Sequence, residues 1–155
     1  MKNKLFRSIK GGTPLIVVLA CSLFGCGGDD PNPTEIEKVT ELLTAGSGTW
    51  SPPANGGITV DGIDVTEELF PEFSITFSDG TFTTTGNSPV WLRQDSWMFK
   101  DNTAKIIVRG QDQREVSITE ISENQLRLTL EWPASTTSGG RAGSLKGKHE
   151  FLLNK

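Results

Sequence analysis

Residues 125–132 read Gln-Leu-Arg-Leu-Thr-Leu-Glu-Trp, and this strict alternation constrains the fold more than any other feature of the chain. Leu126, Leu128, Leu130 and Trp132 fall on one face, and Arg127, Thr129 and Glu131 on the other. Such a strand has one dry side and one wet side. Phe73-Ser74-Ile75-Thr76-Phe77 repeats the pattern, Asp79-Gly80 supplies a two-residue turn, and Thr81-Phe82-Thr83-Thr84-Thr85 returns. In that register Phe77 faces Phe82 across the hairpin. Further strands are expected near 58–60, 90–92, 96–99, 105–109, 114–121 and 146–153. About eight short strands with tight turns and no long helix predict an all-β fold, an antiparallel barrel or sandwich.

One short helix precedes the strands. Thr34-Glu35-Ile36-Glu37 is a capping box, with Thr34 as N-cap and Glu37 reaching back to it. The helix should run to about Thr44 with Ile36, Val39 and Leu43 on one stripe, and Gly46 stands where a C-cap is expected. Between the strands, the connection from Pro133 to Ser144 has no large apolar residue. It reads as flexible filler or as a functional loop.

The first 33 residues have a different character. Lys2, Lys4, Arg7 and Lys10 precede an apolar stretch from Leu15 to Gly25, too short for a membrane span and right for an export signal. Leu23-Phe24-Gly25-Cys26 resembles the lipobox of bacterial lipoprotein signal peptides, which implies that Cys26 becomes the lipidated first residue of the mature chain. Cys21, after Val18-Leu19-Ala20, fits less well, since cleavage there would leave Leu23 and Phe24 on the tether. The expected organisation is a signal peptide over 1–25, a tether over 26–33 and one domain over 34–155. Eight extended tether residues reach about 25–30 Å. Acyl chains on Cys26 would make the membrane its first partner. Asp29-Asp30 so near that Cys resembles surface-export signals of lipoproteins in some Gram-negative bacteria, which implies an outer-membrane lipoprotein facing the cell surface.

Four of the 15 basic residues and none of the 19 acidic ones lie in the leader, so the mature chain carries 11 against 19, a net charge of −8. That excludes nucleic acid and electrostatic docking on anionic lipid. With Cys26 acylated, no thiol or disulfide is left. His149 is the only histidine and there is no tyrosine. Such a chain is poorly equipped for acid–base or nucleophilic catalysis, and binding is expected in its place. No phosphate loop, nucleophile elbow or His-Glu metal motif occurs, so neither cofactor nor metal is expected. Asp61-Gly62-Ile63-Asp64 lacks EF-hand spacing and reads as a turn between Val60 and Val65.

Gly48-Thr49-Trp50, just after the short helix and opening the first strand, resembles the Gly-x-Trp signature of lipocalin-like barrels. Residues 58–66, 74–84 and 128–132 also resemble a group of bacterial lipocalin-like lipoproteins. The resemblance implies a single up-and-down barrel, closed at one end, with a small apolar or amphipathic ligand in its mouth. Phe77, Phe82, Trp97, Trp132 and Phe151 would line that cavity, or else form plain core. In lipocalins a late Arg packs over the signature Trp; here the nearest counterparts are Lys146 and Lys148 on the last strand and Arg141 in the loop before it. His149 is expected on the inward face, as a core residue. Recognition of surface glycans or proteins is the competing reading, with Trp91 stacking and Arg93 and Asp95 bonding beside it. A structural subunit of an envelope complex is a third.

Overall fold

A computed structural model describes residues 32–133 and 146–155. The expected signal peptide, Cys26, Arg141 and most of the tether and the Pro133–Ser144 connection lie outside the described residues.

The fold is all-β. Ten strands form one antiparallel sheet: β1 (Thr49–Trp50), β2 (Ile58–Val60), β3 (Ile63–Asp64), β4 (Ser74–Ser78), β5 (Thr81–Thr85), β6 (Gln94–Phe99), β7 (Ile106–Arg109), β8 (Glu115–Ile121), β9 (Gln125–Trp132) and β10 (Gly147–Asn154). Their order across the sheet is β1-β4-β5-β6-β7-β8-β9-β10-β2-β3, so β4 to β10 run as a continuous meander. The sheet is curled and barrel-like. Ser51, just past β1, exchanges two backbone hydrogen bonds with Asn154 at the end of β10, at 2.9 and 2.8 Å.

The count is ten rather than about eight, and the sequence explains the excess. Pro52 and Pro53 cannot donate to a ladder, so the first strand stops at Trp50. The chain resumes pairing only at β2, which runs against β10 from Ile58↔Phe151 to Val60↔His149. The Asp61-Gly62 turn then returns the two-residue strand β3, with Asp61 at φ +49 and Gly62 at φ +84. Residues 90–92, expected as a strand, are irregular instead. Their carbonyls serve side chains: Val90 accepts from Arg109 and Leu92 from the Thr84 hydroxyl.

The clearest expectations are observed. Phe77 pairs with Phe82 in the β4–β5 hairpin. Leu126, Leu128 and Leu130 are buried along β9, while Trp132 at its end is half-buried. Helix α1 (Glu35–Thr44) carries the complete capping box, Thr34 Oγ1 accepting from the Glu37 amide at 3.2 Å and Glu37 Oε2 from the Thr34 amide at 2.7 Å. Those bonds, led by the Thr34 amide, hold the Glu37 carboxyl below the usual glutamate range. Gly46 follows the helix in the left-handed region. A four-residue helix α2 (Thr66–Leu69) was not foreseen; it turns the chain from β3 into β4.

Candidate functional site

Inward positions of the sheet converge on an aromatic interior. Phe70 and Phe73 meet edge to face at 5.7 Å, and both contact Phe151, at 5.4 and 5.9 Å. Trp91 packs on Phe151 at 5.8 Å and on Phe82 at 5.3 Å. Phe77 joins Phe82 to Trp97 at 6.3 and 5.9 Å, and Trp97 ends the series on Phe99 at 5.2 Å. The Trp97 indole N–H is held by the Ser78 and Thr81 carbonyls. Most of these contacts are edge to face, the geometry the ring quadrupole favours. His149 belongs to the same interior, fully buried against Phe70 and Phe151.

Four of the five expected cavity residues, Phe77, Phe82, Trp97 and Phe151, are therefore neighbours in one ring cluster. Trp132 stands apart from them, under the guanidinium groups of Arg114 at 4.1 Å and Arg109 at 5.9 Å. Trp91 and Arg93 do not form a joint surface. Trp91 is only 6 % exposed, with its backbone amide bonded to Ser88 Oγ at 3.0 Å, while Arg93 points to solvent. Asp95 is buried too, and its carboxylate accepts from the amides of Ser96 and Gln111.

Helix α1 packs against β4 and β8 at one end of the sheet. Gly48 is the hinge there. It sits at φ +65, its carbonyl accepts from the Phe77 amide at 2.9 Å, and a Cβ on it would collide with the Phe77 carbonyl. Only glycine fits such a place. Two residues on, Trp50 is fully buried and donates its indole N–H to the Leu43 carbonyl at 3.0 Å. The cation over its ring is Lys155, at 4.6 Å, and Lys155 also donates to the Leu42 carbonyl at 3.0 Å. The last turn of α1 has no basic residue of its own, so Lys155 supplies the positive charge its dipole calls for. The sequence reading looked for this cation at Lys146, Lys148 or Arg141 and missed Lys155.

The antiparallel order puts the β7–β8 turn at the opposite end. Arg109, fully buried, donates through Nε to Asp112 Oδ1 at 3.0 Å, through Nη2 to Asp112 Oδ2, and through Nη1 to the Val90 carbonyl at 2.7 Å. Its guanidinium lies 5.3 Å from the Trp91 ring. Burial is the largest single effect on Asp112 and would raise its pKa. The Arg109 hydrogen bond, the Arg114 amide and both guanidinium charges together outweigh it and hold the carboxyl below the aspartate range. Among the described residues the Trp91 indole N–H has no acceptor. Arg109 was not singled out from sequence, although alternation in Ile106-Ile107-Val108-Arg109 does place it inward with Ile107.

The acidic turn works as a turn. Asp61 Oδ1 accepts from the Lys148 amide at 2.9 Å, while Asp64 accepts from the amides of Thr66 at 3.0 Å and Gly57 at 3.2 Å. The Thr66 bond leads in lowering the Asp64 pKa. No group of three or more His, Cys, Asp or Glu among the described residues is placed to hold a metal. Two depressions, of about 600 and 510 Å³, lie elsewhere: one beside α1 at Leu42, Glu123 and Lys155, the other between Pro52–Pro53 and Phe70–Phe73. Comparison with protein-family profiles, with curated protein sequences and with solved structures finds no match to this chain.

Proposed function

We propose that this chain is an exported lipoprotein of lipocalin-like build, anchored through Cys26 in the outer membrane and facing the cell surface. It acts by binding, without catalysis, and meets a partner on the outside of its domain, as a recognition module or a subunit of an envelope assembly. The observation that carries the outside reading is the interior itself, where rings from Phe70 to Phe99 rest on one another at 5.2–6.3 Å. Trp91 is buried in that series, and the large apolar residues exposed on the described surface are Ile63 and Met98, so a stacking platform for sugars finds no support. The lipocalin likeness is supported by Gly48, Trp50 and the Lys155 cation over the Trp50 ring.

A second reading, a small amphipathic ligand at the mouth, is favoured by the acceptor-less indole N–H of Trp91 beside the buried guanidinium of Arg109. Native mass spectrometry of the protein, purified from its host in a nonionic detergent, separates the two. An apo mass is expected, and a co-purifying small molecule lost on denaturation would overturn the outside reading in favour of the mouth.

The anchor has its own test. Cys26→Ser should move the protein from the membrane fraction to the soluble fraction while its circular dichroism and melting curve stay unchanged. Continued sedimentation with membranes would refute lipidation at Cys26.

A further inference from the structure

The broken first strand leaves a cleft in the outer wall. Pro52 and Pro53 form one side, Phe70 and Phe73 are its apolar floor, and Glu67 and Glu72 stand exposed at its rim, around a volume of about 510 Å³. No Lys or Arg lines it. That size lies within the range of ligand sites, and the cleft is built in advance of any partner. The proline backbones are fixed. Glu72 is held at φ +56 because the chain at Gly86 comes so close that a Cβ there would strike the Glu72 carbonyl. Asn87 fastens the same turn, its backbone amide bonded to Pro71 O at 3.1 Å and its side chain to Leu69 O at 3.3 Å. A site fixed beforehand loses little entropy on binding.

We propose that this cleft receives a lysine or arginine side chain, with an adjacent apolar residue, from a partner polypeptide. The proposal rests on the reading that the partner is met on the outside of the domain, and it names the place. Charge and shape select the occupant. Long basic side chains are apolar along the stem and charged at the tip, and the cleft is apolar at its floor and anionic at its rim. Acidic segments are repelled, and purely apolar ones leave both carboxylates without a counter-charge.

The test is a ¹H–¹⁵N titration of the lipid-anchored chain, in nonionic detergent, with an acetylated leucine-lysine-phenylalanine-arginine amide tetrapeptide. Its counterpart with glutamate and aspartate at the charged positions serves as the control. Shifts confined to residues 51–54 and 66–74 are expected with the basic peptide. Affinity should fall about fivefold in the Glu67→Gln, Glu72→Gln double variant, as for two exposed ion pairs. Both side chains are exposed, and an unchanged spectrum of the free double variant verifies its fold. No shifts at millimolar peptide, shifts outside the cleft, or equal binding of the acidic peptide would each overturn the proposal. Failure of the outside reading looks different: a host molecule carried through purification, with its displacement felt at Trp91 and Arg109.

Discussion

Trp50→Ala is expected to destabilise the domain by about 3–5 kcal/mol, read from chemical denaturation, as truncation of a fully buried large aromatic does. The loss has three sources. The cavity lies between the sheet and α1; the Leu43 carbonyl loses the indole N–H that satisfies it; and Lys155 loses the ring beneath its ammonium group. Trp50→Phe restores most of the volume but not the N–H, so it should cost less, about 1–2 kcal/mol from the unpaired carbonyl. A Trp50→Ala cost below about 1 kcal/mol would show that this residue does not join helix to sheet, and would remove the main support for a lipocalin-like build.

Asp112→Asn ranks second, at about 2–4 kcal/mol near neutral pH. Removing one partner of a buried pair strands the other charge, and Arg109 is fully buried while Asp112 keeps some exposure, which places the cost below that of a wholly interior pair. The effect depends on pH. Because the folded Asp112 pKa is lowered, its contribution is complete above the ordinary aspartate value of about 3.9 and is lost as pH falls through the lowered folded value. Wild type and variant should therefore differ most at pH 7 and converge below about pH 3. Asp64 and Glu37, also lowered, titrate in both proteins and cancel in the difference. A gap that persists unchanged at low pH would assign the destabilisation to packing rather than to the ion pair.

How much of this was legible in the residues depends on range. The β4–β5 hairpin and β9 announce themselves because side-chain parity and an Asp-Gly turn are local signals, and the capping box at Thr34 and Glu37 is equally local. The strand break after Trp50 was also legible in principle, since Pro52-Pro53 forbids a ladder there, yet the alternation on either side drew attention away from it. Trp91 was harder. Its surroundings read as a loop edge, and only the arrival of Arg109 beneath Val90 turns that loop inward. Lys155 was invisible by parity, because it lies past the last strand and acts on a ring and a helix end far away in sequence. The interior residues were foreseen individually, but whether their rings would fill the space or leave it open depends on rotamers and sheet curvature that no single strand encodes.

The two backbone bonds between Ser51 and Asn154 carry a consequence for the order of events during synthesis and folding. They join segments about a hundred residues apart, and Lys155 reaches Leu42 across 113. Contacts of such separation form late, because closure entropy must be met before they contribute. The first helix and first strand therefore have no settled position until β10 is available. A nascent chain carrying everything up to β9 should remain open and protease-sensitive, and the domain should close only in its final step, as a seam drawn shut from the C-terminal side.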